Sequence, residues 1–235
     1  NIQIEPGISN INIDSKVFGG TIEPISWDTS CSEGTLNITL INNPTYIITV
    51  ANNKFLINGK TLQPWEKLTF LTNTTVIFDQ SGNSNIGSRL QISSEEDGTG
   101  TIYGPPIVEY STETPGTNDS NTKFVTGSVP TTVYFFSSSS AMMGGKINIL
   151  SSTIATGLQH SDLSYNWNVS DGFENIINPK IKIIDNTTDI SSVLTINLYK
   201  KVNKVKISDL TDVWENDAPI YISNSPDFSN LSIEL

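Results

Sequence analysis

The stretch "VYFFSSSSAMMGG", from Val133 to Gly145, joins two patterns that seldom meet in one segment. Residues 133–136 have strong β preference and favour burial, whereas the four serines that follow are typical of a flexible linker. A linker is not normally entered from an aromatic core strand. The role of the serines therefore depends on the fold that surrounds them.

The composition favours a folded, β-rich chain. Of the 235 residues, 36% are hydrophobic and 16% are charged, which suffices for a core without metal ions or disulfides. Short alternating or β-branched segments recur throughout, separated by turn signals such as Asn58-Gly59 and Asp97-Gly98. Only residues 208–215 have a helical pattern. Because repeated amphipathic helical segments are absent, the sequence predicts an all-β, antiparallel sandwich or barrel.

Shifts in composition divide the chain into three regions. Residues 1–43 read as an N-terminal β arm, residues 44–150 form the most regular block, and residues 151–235 read as a C-terminal β-rich domain. The arm and the C-terminal region flank the middle block. They either add strands to it or pair with each other as a second, smaller β domain.

Charge and hydropathy exclude two classes of partner. The formal net charge of −11 leaves no basic surface for phosphate backbones, so we expect no nucleic-acid binding. No apolar run approaches 18 residues, so we expect no membrane insertion. Because the chain begins at Asn1 and not at Met, we expect it to be either processed or cut from a longer protein.

The middle block carries an ordered set of motifs. A Tyr-x-Ile-x-Val strand leads into "NNKF" and the Asn58-Gly59 turn, and a "VIFDQS" strand follows with an Asn/Ser loop. Then come Asp-Gly-Thr, Thr-Pro-Gly and the aromatic strand that leads to Met-Gly-Gly. This set covers under half of the chain. It resembles the cupredoxin-like domains of virion structural and tail-fibre proteins from marine phages and giant viruses, which implies a cupredoxin-like Greek-key β-sandwich.

The resemblance also implies where copper ligands would lie. Copper-binding members of that fold use two His, one Cys and one Met, because type 1 copper needs two imidazoles, a thiolate and a weak thioether. The matching positions here are Ser88, Ser137, Ser140 and Met143, so only the Met is kept. The whole chain has one His and one Cys. We therefore predict a degenerate, metal-free site and no cofactor.

Other polar and aromatic residues are weaker candidates. His160 lies beside Ser161-Asp162, but neighbouring side chains diverge, so we expect an exposed loop His and no catalytic triad. The acidic run at residues 95–97 is expected to be a solvated hairpin tip, with calcium binding as the alternative. Trp65 and Trp167 lie in polar settings and are candidate glycan contacts.

These observations predict a non-enzymatic structural component of a virion or cell surface, such as a fibre, spike or capsid-associated protein. We expect a virion, extracellular or cell-surface location. The expected partners are other virion or surface proteins, with a homo-oligomer and a host glycan as further candidates. A glycan-binding surface adhesin is the alternative function. A copper-binding electron-transfer protein is a weaker alternative because the ligand count argues against it.

Overall fold

A computed structural model describes residues 7–14, 16–30, 34–63, 66–137, 139–170, 172–199, 220–221 and 232–233. The predicted helix at residues 208–215 lies outside these residues. The described residues form strands and three short 3₁₀ helices, Asn83–Asn85, Glu96–Gly98 and Phe173–Asn175. The strands are β1 (Ile8–Asn12), β2 (Val17–Phe18), β3 (Ile22–Thr29), β4 (Leu36–Ile41), β5 (Thr45–Ala51), β6 (Lys54–Ile57), β7 (Lys60–Thr61), β8 (Lys67–Leu71), β9 (Thr75–Asp79), β10 (Leu90–Ser93), β11 (Val108–Tyr110), β12 (Asn121–Val125), β13 (Thr131–Ser137), β14 (Ser140–Leu150), β15 (Thr153–Leu158), β16 (Ser164–Asn168), β17 (Lys180–Asp185), β18 (Ser191–Thr195), β19 (Leu198–Tyr199), β20 (Ile220–Tyr221) and β21 (Ser232–Ile233). The predicted all-β class is confirmed.

Strands β5 to β14 build one β-sandwich, called here the inserted sandwich. Its larger sheet has the order β11-β12-β9-β5-β6-β7, and its smaller sheet has the order β10-β13-β14-β8. Most pairs are antiparallel, but β5 runs parallel to β9 and β8 runs parallel to β14. The alternating pattern of these strands turns one set of side chains inward. Phe70, Phe78 and Phe124 are buried in that core, and the Phe70 ring centroid lies 6.0 Å from that of Phe78 and 6.4 Å from that of Phe124.

Segments from both ends of the described chain build a second body, called here the outer sandwich. One sheet has the order β15-β4-β17-β18, and the other has the order β1-β3-β16. Strand β4 pairs along its length with β17, and β3 pairs with β16, so residues before the inserted sandwich hydrogen-bond with residues after it. Trp27, Ile38 and Ile183 are buried between the two sheets.

The inserted sandwich enters and leaves the outer sandwich at adjacent points. The chain reaches it from β4 and returns through β15, and these two strands are paired. At the crossing, the Leu40 N–H donates to the Ser152 carbonyl oxygen at 2.7 Å. The Ser152 and Thr72 hydroxyls lie 2.9 Å apart and are buried. Close chain ends of this kind are a feature of domains inserted into other domains.

Apolar side chains of each sandwich also pack against the core of the other. Leu71, at the end of β8 in the inserted sandwich, is fully buried and belongs to the core of the outer sandwich. Ile177, from the outer sandwich, packs against the core of the inserted one. Asn42 fixes this contact, since its Nδ2 donates to the Ile177 carbonyl oxygen at 3.1 Å. The two cores are distinct, and these side chains pack one sandwich against the other at the junction.

Candidate functional site

Ser137, Ser139 and Ser140 of the opening stretch lie where β13 turns into β14. Ser137 pairs with Ser140 across this connection, and the Ser137 and Ser139 hydroxyls are 2.8 Å apart. On its other side Ser137 pairs with Leu90, the first residue of β10, which follows Ser88 by two positions. The register therefore places Ser88, Ser137 and Ser140 at one end of the smaller sheet.

Met143 reaches this end of the sandwich through a bulge in β14. Between Phe135 and Ser137 the register shifts, which leaves extra residues on β14. Met142 has a φ of +60° and an exposed side chain, while Met143 is only 1% exposed and belongs to the core of the inserted sandwich. Gly144 is required at the bulge, because a Cβ there would collide with the Phe135 carbonyl oxygen.

Two charged side chains hydrogen-bond to the backbone of Met142 in the bulge. Asp97 Oδ1 accepts from the Met142 N–H at 3.0 Å, and Lys54 Nζ donates to the Met142 carbonyl oxygen. Asp97 belongs to the acidic run that the sequence assigned to a solvated tip, with calcium as the alternative. Residues 95–97 are exposed, as expected of a solvated tip, and the Asp97 carboxylate has a protein donor in addition. Among the described residues, no group of three or more His, Cys, Asp or Glu side chains could hold a metal ion.

Buried polar side chains cross between the sheets at this end. Gln80 is fully buried, its Nε2 donates to the Ser88 carbonyl oxygen at 2.8 Å, and its Oε1 accepts from the Leu90 N–H at 3.1 Å. Thr122 is also fully buried, and its hydroxyl donates to the Leu90 carbonyl oxygen at 2.8 Å. We call Gln80, Thr122 and Leu90 the polar latch. The predicted ligand position Ser88 takes part in it through its backbone.

Gln80 and Thr122 were not predicted as site residues from the sequence. A signal for Thr122 was present, because it shares the inward face of β12 with Phe124 and is thus a polar residue at a core position. Buried polar groups need hydrogen-bond partners, so such a position implies a nearby partner. No comparable signal marked Gln80, which follows the last residue of β9.

The glycan-contact prediction for Trp167 does not fit the structure. Trp167 is 4% exposed, and its ring packs against Phe173 with centroids 5.9 Å apart. The sequence "YNWNV" alternates, so the asparagines face outward while Trp167 faces the core. The polar neighbours therefore mark the opposite face of the strand. Trp65 lies outside the described residues, and its glycan contact stays a prediction.

His160 differs from the expected exposed loop residue. Its side chain is 10% exposed, and its Nε2 lies 3.0 Å from Asp185 Oδ2. Asp185 Oδ1 accepts from the N–H groups of Thr187 and Thr188 at 2.8 Å each. These backbone donors, that of Thr188 foremost, hold the pKa of Asp185 below its ordinary value, with His160 adding to the effect. The neighbouring Asp162 instead accepts from the Gln159 N–H at 2.8 Å.

A groove lies along the boundary of the two sandwiches, with a cavity volume of about 1140 Å³. Its inserted-sandwich wall includes Tyr46, Leu62 and Leu68, and Ile177 lines it from the outer sandwich. Its remaining lining residues are Ile57, Asn58, Lys60, Thr61, Gln63, Glu66, Lys67, Gly172 and Asn175. Ligand sites often occupy such boundaries between packed units. The sequence does not indicate this groove, because its lining residues come from segments that are far apart in the chain.

The chain matches no protein-family model, and no curated protein is significantly similar to it. None of the helices within the described residues has the length and apolar character needed to cross a membrane. The candidate sites are thus defined by geometry alone: the serine end of the inserted sandwich and the groove at the boundary.

Proposed function

We propose that the inserted sandwich is a cupredoxin-like Greek-key domain without a metal. Its strand order supports this assignment. After β5 and β6 the chain passes to the smaller sheet as β8, then returns as β9 beside β5 and parallel to it. The last strand, β14, lies parallel to β8 in the same way. Such returns to an earlier strand after crossing the sandwich are the connections that make a Greek key.

We further propose that the protein is a non-enzymatic structural component of a virion or cell surface. The observation that carries this proposal is the polar latch. At the end where the ligand positions fall, Thr122 and Gln80 hydrogen-bond across the two sheets. Neutral hydroxyl and amide groups stabilise a fold there but are poor ligands for copper. The junction adds to the case, since Leu71 of one sandwich packs in the core of the other, and such packing suits a module of an assembly.

Copper titration tests the first proposal. The wild-type chain is expected to show no intense visible band with Cu(II) and no rise in Tm, because it lacks the thiolate and imidazoles at this end. The variant S88H/S137C/S140H restores those donors and serves as the positive counterpart. An intense visible band in the wild type contradicts the metal-free assignment. The lack of any band in the triple variant contradicts the assignment of these positions to a former ligand set.

Mass spectrometry tests the second proposal. Purified particles and protease-shaved cell surfaces from the natural source are compared with the cytosolic fraction. Recovery of this chain in amounts similar to known surface or capsid proteins supports the structural role. Recovery from the cytosolic fraction alone overturns it. The result of this experiment does not depend on the copper titration, because the lack of a metal site does not determine where a protein is located.

A further inference from the structure

The boundary groove combines apolar walls with a buried phenol. Leu62, Leu68 and Ile177 give it an aliphatic lining from both sandwiches. Tyr46 is 3% exposed, and its ring lies 5.6 Å from that of Phe70. Burial raises the pKa of the Tyr46 hydroxyl, so this group is a neutral donor at physiological pH.

The Tyr46 hydroxyl makes no hydrogen bond with another residue in the described part of the chain. The hydroxyl oxygen keeps some accessible surface although the residue as a whole is buried, so it can donate to water or to a ligand in the groove. Of the described tyrosines, Tyr110 provides a contrast, because its hydroxyl donates to the Tyr103 carbonyl oxygen. The groove therefore contains a donor that its own walls do not satisfy.

Two lysines stand beside these apolar walls. Lys60 and Lys67 line the groove, and the two ion pairs found among the described residues involve neither of them. Glu66, the only acidic lining residue described, has one carboxylate oxygen engaged with the Gln63 N–H at 2.8 Å. In a chain with a net charge of −11, this local excess of positive charge is an exception. It favours an anionic group placed against an apolar surface.

We propose that the boundary groove binds an organic anion with an apolar body, of the class of aliphatic or aromatic carboxylates and sulfonates. The apolar body packs against Leu62, Leu68 and Ile177. The anionic group faces Lys60 and Lys67, and the Tyr46 hydroxyl supplies a hydrogen bond. This binding function is additional to the structural role and does not depend on it.

Two fluorescent probes that share an aromatic frame test the proposal. 1-Anilinonaphthalene-8-sulfonate carries the anionic group, and N-phenyl-1-naphthylamine lacks it. The anionic probe is expected to bind with one saturable site. The variant K60Q/K67Q should weaken binding of the anionic probe roughly fivefold, since exposed charge pairs contribute a few tenths to 1 kcal/mol each. The neutral probe should bind both forms equally. The matched control K180Q/K182Q removes two lysines from β17, outside the groove, and should leave both probes unaffected.

Tyr46→Phe provides the second arm. It keeps the ring in the core and should weaken the anionic probe about fivefold through the loss of one hydrogen bond, with Tm unchanged. The proposal is overturned if K60Q/K67Q and K180Q/K182Q weaken binding of the anionic probe equally. It is also overturned if K60Q/K67Q weakens binding of the neutral probe as much as binding of the anionic probe. Absence of a saturable site for the anionic probe in the wild type also overturns it.

Discussion

The Thr122 hydroxyl and the Leu90 carbonyl oxygen form a 2.8 Å hydrogen bond between the two sheets of the inserted sandwich. Thr122 belongs to β12 in the larger sheet, and Leu90 belongs to β10 in the smaller sheet. The sheets also meet through the apolar side chains of the core. The end that carries the serines is therefore joined by directional contacts, which require a defined alignment of the sheets.

Thr122→Val tests the strength of the polar latch. Valine has nearly the same shape but removes the hydroxyl, so the free energy of unfolding should fall by about 1 to 2 kcal/mol. Urea unfolding followed by circular dichroism measures the change. Thr69→Val is the matched control, since Thr69 is also buried but its hydroxyl has no partner. That variant should keep or gain stability. A loss in Thr69→Val equal to that in Thr122→Val would contradict the latch.

Gly144→Ala tests the bulge that turns Met143 into the core. The added methyl group collides with the Phe135 carbonyl oxygen, so the backbone must shift, and overpacking of this kind costs about 1 to 3 kcal/mol. Gly127→Ala is the control, because a Cβ at that position meets no atom within 4 Å. Thermal unfolding should separate the two variants. Equal Tm values would mean that the bulge rearranges freely.

Leu71→Ala tests whether the two sandwiches unfold as one unit. Removal of a fully buried leucine side chain should cost about 2 to 5 kcal/mol. Because Leu71 belongs to one sandwich and packs in the core of the other, both should lose stability in a single transition. Leu163→Ala, at a residue that is 52% exposed, should change stability by less than about 0.5 kcal/mol. Two separate unfolding transitions in Leu71→Ala would show that the junction couples the bodies only weakly.

Local pattern predicted the strands but not how they associate. Alternation marked β9 and β13 correctly, because a half-buried strand repeats every two residues. The parallel pairing of β5 with β9 joins segments that are separated by other strands, and local pattern carries no information on such pairs. Leu71 could be assigned to a core from its sequence. That it fills the core of the other sandwich depends on the junction, which only the tertiary structure defines.

The same limit applies to the candidate sites. Ser137 and Ser140 were predicted as site positions from sequence because they lie three residues apart in one short motif. Trp167 was misjudged because its polar neighbours were read as its environment, although in a strand they face the opposite side. The groove combines Tyr46, Lys67 and Ile177, which are remote in sequence. Sites assembled from distant segments leave no local signal.

Asp185→Asn tests the acid dependence of stability. The folded state holds the pKa of Asp185 below its ordinary value of 3.8, first through the Thr188 N–H, so folding favours the ionised carboxylate. The unfolded chain then binds the proton more readily. The stabilisation is thus fully present above pH 3.8 and is lost as the pH falls through the lower, folded-state pKa. Urea midpoints of the wild type should decline in this acidic range, and those of Asp185→Asn should decline less. Asp162→Asn, which removes an exposed carboxylate in a turn, is the control and should follow the wild type. Parallel curves for the wild type and Asp185→Asn would show that this carboxylate does not contribute to the acid dependence.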